Sequence, residues 1–441
     1  MILSSLSLQN FRNFKKSSFD FSPKATIIIA PNARGKTNIL EAIYMLVTGK
    51  SFRADLEKEV ISYGEELARL GAEVSHGEAL RSGTKFFVAA DRPDETSGLI
   101  MSSKKFAPSP RPPEFNKLEI VITAGQVGSK KVPKKKFLVN GVSKRSTNFI
   151  GNFFAVLFSP QDLRLITDSP SLRRRYLNTV LSSVDKQYRI ALLIYEKALR
   201  QRNKVLERIR ERQASVSQLD YWDKLLINNG QIITQKREEF IDFINSQYCV
   251  CHPELDSGSI EIPKRVWNDT KVVVSDKEIF ESFKVAYEKN EISEDRLEEK
   301  REKEVLLGVT LVGPHRDDFI IKLKTQNVKL VPPAKPLATH GKTTSQMSNL
   351  GKSRDLSIYG SRGEQRLAVL WLKLSELAFI EEKTSQKPVL LLDDIFSELD
   401  ADHRDLVTQI IPHQQTIITT TEEGIVKGYF LKGAKIIKLE I

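Results

Sequence analysis

A chain of 441 residues with 40% hydrophobic content is too long for one small core and suggests two domains, one of them open to insertions. Its 68 Lys and Arg against 56 Asp and Glu leave a net charge of +12, which favours an anionic partner, nucleic acid first, without separating DNA from an acidic protein. No apolar run approaches the roughly 18 residues of a spanning helix, and MILSSLSLQNFRNF lacks a signal-peptide layout, so a soluble, cytoplasmic protein with no membrane partner is expected.

Leu3 to Phe21 alternates as a hairpin, with Leu6 and Leu8 on one strand, a turn near Asn10 to Asn13, and Phe19 and Phe21 on the other. Thr26 to Ile29 then reads as a strand and Ile39 to Leu46 as a helix. Between them lies APNARGKTN: Ala30, Pro31, Asn32, Ala33, Arg34, Gly35, Lys36, Thr37 and Asn38. Strand, tight loop and helix is the setting in which a GxxxxGK[ST] loop turns its backbone N–H groups towards a phosphate. Gly35 allows close backbone approach, Lys36 supplies a point charge for the β and γ phosphates, and the Thr37 hydroxyl suits Mg²⁺. Ala30 and Ala33 depart from the pattern, standing where glycines are usual. An alanine held in left-handed geometry costs roughly 1–2 kcal/mol, which weakens such a loop without abolishing it. The plain alternative is a basic turn before a helix.

GKSFRA, Gly49 to Ala54, is a short polar exit able to return Arg53 towards the loop. Leu56 to Phe154 reads mostly as strands. It is interrupted at 91–114 by a tract rich in proline and serine that suits a mobile loop. Lys130, Lys131, Lys134, Lys135 and Lys136 make a basic run before the strand Phe137 to Val139 and its Asn140–Gly141 turn. That run fits a solvated face or a phosphate-backbone contact. After VLFSPQDLRLITDSPSLRRRYLN, Val156 to Asn178, apolar residues recur at helical spacing through Leu192, Tyr195, Leu199, Leu206 and Ile209. The same style continues over Asp220 to Tyr248. A helical hairpin is expected here, turning within Gln213 to Gln218 and lined with Arg173, Arg174, Arg175, Arg200, Arg202, Arg208, Arg210 and Arg212.

Cys249, Cys251 and His252 form one small cluster, read as unpaired thiols in a reducing cytosol or, less simply, as a metal site. The tract 251–259 reads as an insertion, charged helix is expected to resume over Glu278 to Glu304, and 332–353 reads as a disordered polar segment. LGVTLVGPHRDD, Leu307 to Asp318, ends an apolar strand in a cluster of His315, Arg316 and two carboxylates. It fits a salt-bridged corner or part of an active site.

VLLLDD, Val389 to Asp394, delivers two carboxylates at the end of a buried strand, which is what a phosphate loop needs beside it. Asp393 suits Mg²⁺, and Asp394 suits orienting or deprotonating a water. SRGEQR, Ser361 to Arg366, opens the helix Leu367 to Phe379 and makes a second anion-binding N-terminus. One γ-phosphate does not need two such helix ends from one chain, so the second would serve another copy. SELD, Ser397 to Asp400, and TIITTT, Thr416 to Thr421, follow. A capping box and an edge strand would explain these two equally well.

Taken together, LSLQNFRNF, GKT, GKSFRA, LFSPQDLRLITDSPSLRRRYLN, YEKALRQRN, GPHRDD, SRGEQR, LLLDDIFSELD and ITTT resemble the RecF family of bacterial DNA repair proteins, in that family's order and nearly end to end. The resemblance implies an α/β ABC-type ATPase head, like those of structural-maintenance-of-chromosomes proteins, formed by N- and C-terminal segments with an inserted helical arm. The corresponding ranges are 1–165, 166–304 and 305–441. It implies an ATP-dependent homodimer on DNA at single-strand gaps and junctions, with RecO and RecR as partners in loading the RecA recombinase. By position, Lys36 and Thr37 correspond to the phosphate and Mg²⁺ residues, and Asp393 and Asp394 to the metal-binding and catalytic carboxylates. Ser361, Gly363 and Gln365 correspond to the signature over a partner's ATP, and Gln161 to the sensor of its γ-phosphate. Arg362 and Glu364 depart from the usual signature, which bears on turnover more than on binding. A weak, DNA-stimulated ATPase is therefore expected, with a nucleotide-independent DNA-binding scaffold as the alternative. A transporter-coupled ATPase is disfavoured by the basic arm and the absence of LSGGQ.

Overall fold

Alternation of Leu6 and Leu8 with polar residues, and the turn at Arg12–Asn13, make the first two strands a hairpin as expected: β1 (Ile2–Phe11) and β2 (Phe14–Asp20). The computed structural model describes residues 1–75, 115–246, 282–324, 353–398, 404, 407–408, 411–421 and 434–439. The tracts 91–114 and 251–259, the Cys249, Cys251 and His252 cluster, all of 332–353 except Ser353, and the side chains of SELD lie outside the described residues.

Two sheets enclose one helix. The first, antiparallel and six-stranded, runs in the order β2-β1-β4-β5-β8-β9, with β4 (Leu67–Ser75), β5 (Phe115–Thr123), β8 (Lys135–Val139) and β9 (Val142–Lys144). Two short strands, β6 (Gln126–Val127) and β7 (Lys130–Lys131), form a hairpin above it. The second sheet is parallel in the order β10-β14-β15-β3-β16. It joins β3 (Ala25–Ile29) and β10 (Ala155–Phe158) to β14 (Val389–Asp393), β15 (Thr416–Thr420) and β16 (Lys435–Lys438). Strands β3, β10, β14 and β15 are buried at every residue, as unbroken apolar runs in a parallel sheet require. TIITTT is thus a central strand and not an edge. Helix α1 (Lys36–Thr48) lies between the sheets and buries Ile39, Leu40, Ile43, Leu46 and Val47.

The two ends of the chain build this layer together. Gln415 accepts from Leu3 N at 2.7 Å and donates to Leu3 O and Ser22 O at 2.8 Å, while the Met1 ammonium reaches Lys387 O at 3.0 Å. The short helices α2 (Ser146–Phe149) and α3 (Arg164–Thr167) flank β10. Then α4 (Pro170–Val184), α5 (Lys186–Arg210) and α6 (Asp220–Ser246) follow, and α5 and α6 form the expected hairpin with its turn at 211–219.

The helix expected over 278–304 is corrected. Residues Phe283–Glu288 form strand β11, and α7 starts only at Glu294 and ends at Leu307. Strand β11 pairs antiparallel with β12 (Asp318–Leu323), which pairs in turn with β13 (Arg354–Asp355). Helices α8 (Leu356–Tyr359) and α9 (Arg362–Thr384) follow, α9 packing against α4, α6 and β10, and the short α10 (Ile395–Glu398) leaves β14.

Candidate functional site

Parallel pairing sets the carboxyl ends of four strands along one edge, because Phe158, Leu392, Ile418 and Ile27 lie in register. The loop after β3, Asp393 at the end of β14, Thr419 in β15 and Gln161 just beyond β10 therefore share that edge, where open parallel sheets hold ligands. Pro31, Asn32, Ala33 and Arg34 are exposed, and the loop turns on Ala33 at φ 64° and Gly35 at φ 99°. A Cβ at Gly35 would meet Asn13 at 2.8 Å and the Phe14 ring at 2.9 Å, so only glycine fits there. Ala33 carries the left-handed cost expected of it. Ala30 does not, being buried outside that region with its N–H towards Thr420 O at 3.4 Å.

Lys36 is buried and donates to Ala30 O at 2.6 Å and Pro31 O at 3.1 Å. Burial lowers its pKa, and the carboxylates of Asp394 and Asp393 oppose that shift. Thr37 Oγ1 donates to Asp393 Oδ1 at 3.0 Å, and Thr419 Oγ1 reaches the same oxygen at 2.9 Å. Burial raises the Asp393 pKa, opposed by those two hydroxyls and by the nearby charges of Arg53 and Lys36. A hydroxyl and a carboxylate oxygen this close are a hard-oxygen pair, fitting a dication that completes its shell with water and phosphate. Asp394 stands at φ 51°, its N–H held by Thr419 O at 3.2 Å and Oγ1 at 3.1 Å.

Several supporting residues were not read as site residues. Asn13 donates to Arg34 O at 3.3 Å and accepts from Asn38 at 2.9 Å, bracing the loop from the β1–β2 turn. Arg53 does return to the loop, donating to Asn38 Oδ1 at 2.9 Å. Thr419 was visible only as a strand-end hydroxyl.

Gln161 is exposed in the turn Pro160–Leu163, where Asp162 caps Ser159 N at 2.7 Å. Lys373 ties that turn to α9 by ion pairs of 3.3 Å with both Asp162 and Glu376, its ammonium 5.0 Å from the Tyr176 ring centre. Burial alone would lower the Lys373 pKa; the two carboxylates raise it instead.

Ser361, Gly363 and Gln365 stand at the start of α9. Ser361 and Glu364 form a capping box, Gly363 is exposed with no atom near a would-be Cβ, and Gln365 is buried with its amide on Leu356 O at 2.9 Å. Among the described residues no hydrogen bond joins these three to the phosphate loop of the same chain.

GPHRDD resolves as a salt-bridged corner. Arg173 makes a two-pronged contact with Asp318 at 2.6 and 2.8 Å. Asp317 is buried and receives Arg237 at 2.8 Å, Asn290 N at 2.7 Å and the Tyr287 hydroxyl. His315 lies between the Tyr195 hydroxyl at 2.8 Å and Thr310 O at 3.1 Å, and burial brings its pKa down to about 4. The arm's arginines are likewise partly internal. Arg174 donates to Asp317 O and Arg175 to Ser51 O, while Arg202 is fully buried against Asp223 and Glu304.

The family model of the RecF/RecN/SMC N-terminal domain matches residues 2–438. A DNA replication and repair protein RecF from Thermomicrobium roseum is 32% identical over 461 residues, covering 100% of this chain and 98% of its own. One from Lachnoclostridium phytofermentans is 31% identical over 422 residues, covering 96% and 93%. The chain belongs to the RecF family. A solved structure titled as the recombination mediator protein RecF with ATP in the RecFOR pathway is 27% identical, with a TM-score of 0.69 over 96% of this chain and 92% of that one. The RecF-family fold here is accordingly the α/β ABC-type ATPase head with a helical arm. Among its described residues no helix is long and apolar enough to cross a membrane, and no cluster of three His, Cys, Asp or Glu forms an all-protein metal cage.

Proposed function

We propose that this chain is an ATP-dependent DNA-binding protein of recombinational repair and replication restart. It binds DNA at single-strand gaps and junctions as an ATP-induced homodimer, and it hydrolyses ATP slowly in the cytoplasm. The observation that carries the reading is the Thr37–Asp393 contact of 3.0 Å at the carboxyl edge of the parallel sheet, with Lys36 beside it. Curated relatives named for DNA replication and repair, and a solved relative titled with ATP, support it.

In this reading Lys36 and the loop N–H groups hold the phosphates, and Thr37 and Asp393 hold Mg²⁺. Bound there, Mg²⁺ would offset charge on the β and γ phosphates. Asp394 orients the attacking water, and Gln161 reads the γ-phosphate. Ser361, Gly363 and Gln365 serve the nucleotide of the second copy, which agrees with their hydrogen bonds being to their own neighbours and not to the loop of their own chain. The head comprises 1–165 and 305–441 and the arm 166–304, with β11 of the arm range pairing back onto β12. RecR and RecO are the partners the family suggests.

A nucleotide-independent scaffold is the rival. The strain at Ala33, roughly 1–2 kcal/mol, is small against the affinity of a full phosphate loop, so ATP binding is favoured. Sedimentation velocity of the wild-type chain with and without ATP·Mg²⁺ tests the reading. A nucleotide-driven shift from monomer to dimer is expected, and no binding at millimolar ATP would leave the scaffold.

A further inference from the structure

The exposed surfaces of three helices, α5, α6 and α7, differ in charge. On α5, exposed residues recur at steps of three and four along one face, and Lys197, Arg200, Lys204 and Arg208 are four cations among them. Among the described residues none of these four makes an ion pair, although Glu207 is exposed on the same helix. The exposed charges of α6 are Asp220, Glu239 and Asp242 against Lys224, and those of α7 are five acids between Glu294 and Glu302 against Lys303. A merely solvated arm would mix its charges. This one has mostly cations exposed on one helix and mostly acids on the other two.

We infer that the outer face of α5 is a track for the phosphates of duplex DNA, a surface that rests on the DNA-binding reading above and locates it on the arm. Four cations over the twelve residues Lys197 to Arg208 span about 17 Å of straight helix, a rigid row matched to a rigid polyanion whose charges recur every ~1.7 Å of axis. Single strands call for aromatic platforms on which bases stack. The aromatic residues of α5, Tyr188 and Tyr195, are both buried. Nothing on this face reads bases, so binding there is independent of sequence.

The test uses the full-length protein with ATP·Mg²⁺ and a fluorescent duplex of about 30 base pairs, titrated across a salt series. One variant carries Lys197→Ala, Arg200→Ala, Lys204→Ala and Arg208→Ala. A second, removing the same charge from the head, carries Lys130→Ala, Lys131→Ala, Lys134→Ala and Lys136→Ala, all exposed residues. The arm variant should lose roughly tenfold or more in duplex affinity near 150 mM salt, and its log–log salt slope should shrink by about 3. Its affinity for a single strand of equal length should fall less, and its nucleotide-driven sedimentation shift should stay that of the wild type. Wild-type affinity and slope in the arm variant would overturn the assignment and leave the face to an acidic protein. An equal loss in the head variant would overturn it too, as an effect of net charge alone. Failure of the wild type itself to bind duplex would instead remove the DNA-binding reading on which the inference rests.

Discussion

Two pairs of adjacent aspartates, Asp317–Asp318 and Asp393–Asp394, look alike in sequence, each at one end of a strand. Their surroundings differ. Asp317 and Asp318 face guanidinium groups, Arg237 and Arg173, which are fixed in place and match the carboxylates in charge and geometry. Asp393 faces two hydroxyls, and Lys36 close by is turned onto loop carbonyls. A carboxylate matched by fixed arginines is part of the frame. One held by hydroxyls beside a left-handed loop keeps the capacity to bind something else.

The comparison breaks most readily at Asp317. Replacing Asp317 by Ala leaves the buried Arg237 guanidinium without its carboxylate and should remove roughly 3–5 kcal/mol of stability, read by urea unfolding. A loss below about 1 kcal/mol would put both pairs on the same footing. Lys36→Ala should do the reverse, lowering ATP·Mg²⁺ affinity about 100-fold (~3 kcal/mol) with little change in the urea midpoint. Unchanged affinity by calorimetry would refute the phosphate site.

The corner is also sharpened by pH. His315 titrates near 4 when folded and near 6.5 when unfolded, so between those values the unfolded chain binds the extra proton and stability falls as pH falls. Wild type should lose up to about 2–3 kcal/mol more than His315→Gln over that window. Parallel stability curves for the two proteins would contradict this. The smallest effect is expected at the loop, where Ala33→Gly relieves φ 64° and should tighten ATP by about 1 kcal/mol or less, less the backbone entropy glycine loses. Weaker binding in that variant would show that the alanine supports the bound loop.

What was legible in the sequence was local. The strand–loop–helix around Lys36, the buried strand ending in Asp393 and the hairpin turn near Gln213 each announce themselves within a dozen residues. The rest depended on distant partners. Strand β11 was hidden within a charged stretch because its apolar alternation covers only Phe283, Val285 and Tyr287, and β12, which fixes its register, lies some thirty residues on. Arg202 read as one more cation on a basic helix, since Asp223 and Glu304, which bury it, belong to two other helices. GPHRDD fitted two roles until Arg173 and Arg237 were seen to meet it. Ala30 and Ala33 looked equivalent as missing glycines, and only the backbone distinguishes them.

The interleaving of the two chain ends has a consequence for biosynthesis. Strand β3 lies between β15 and β16, whose first residues are Thr416 and Lys435. A ribosome adding about 5–20 residues per second therefore exposes the apolar run Ile27–Ile29 for roughly 20–80 s before any neighbouring strand of its sheet has been made. The antiparallel sheet needs nothing beyond Lys144 and can close early. The nucleotide edge is thus assembled last, and a chain cut short before β14 keeps its phosphate loop but lacks both the carboxylate that faces it and the sheet that supports it.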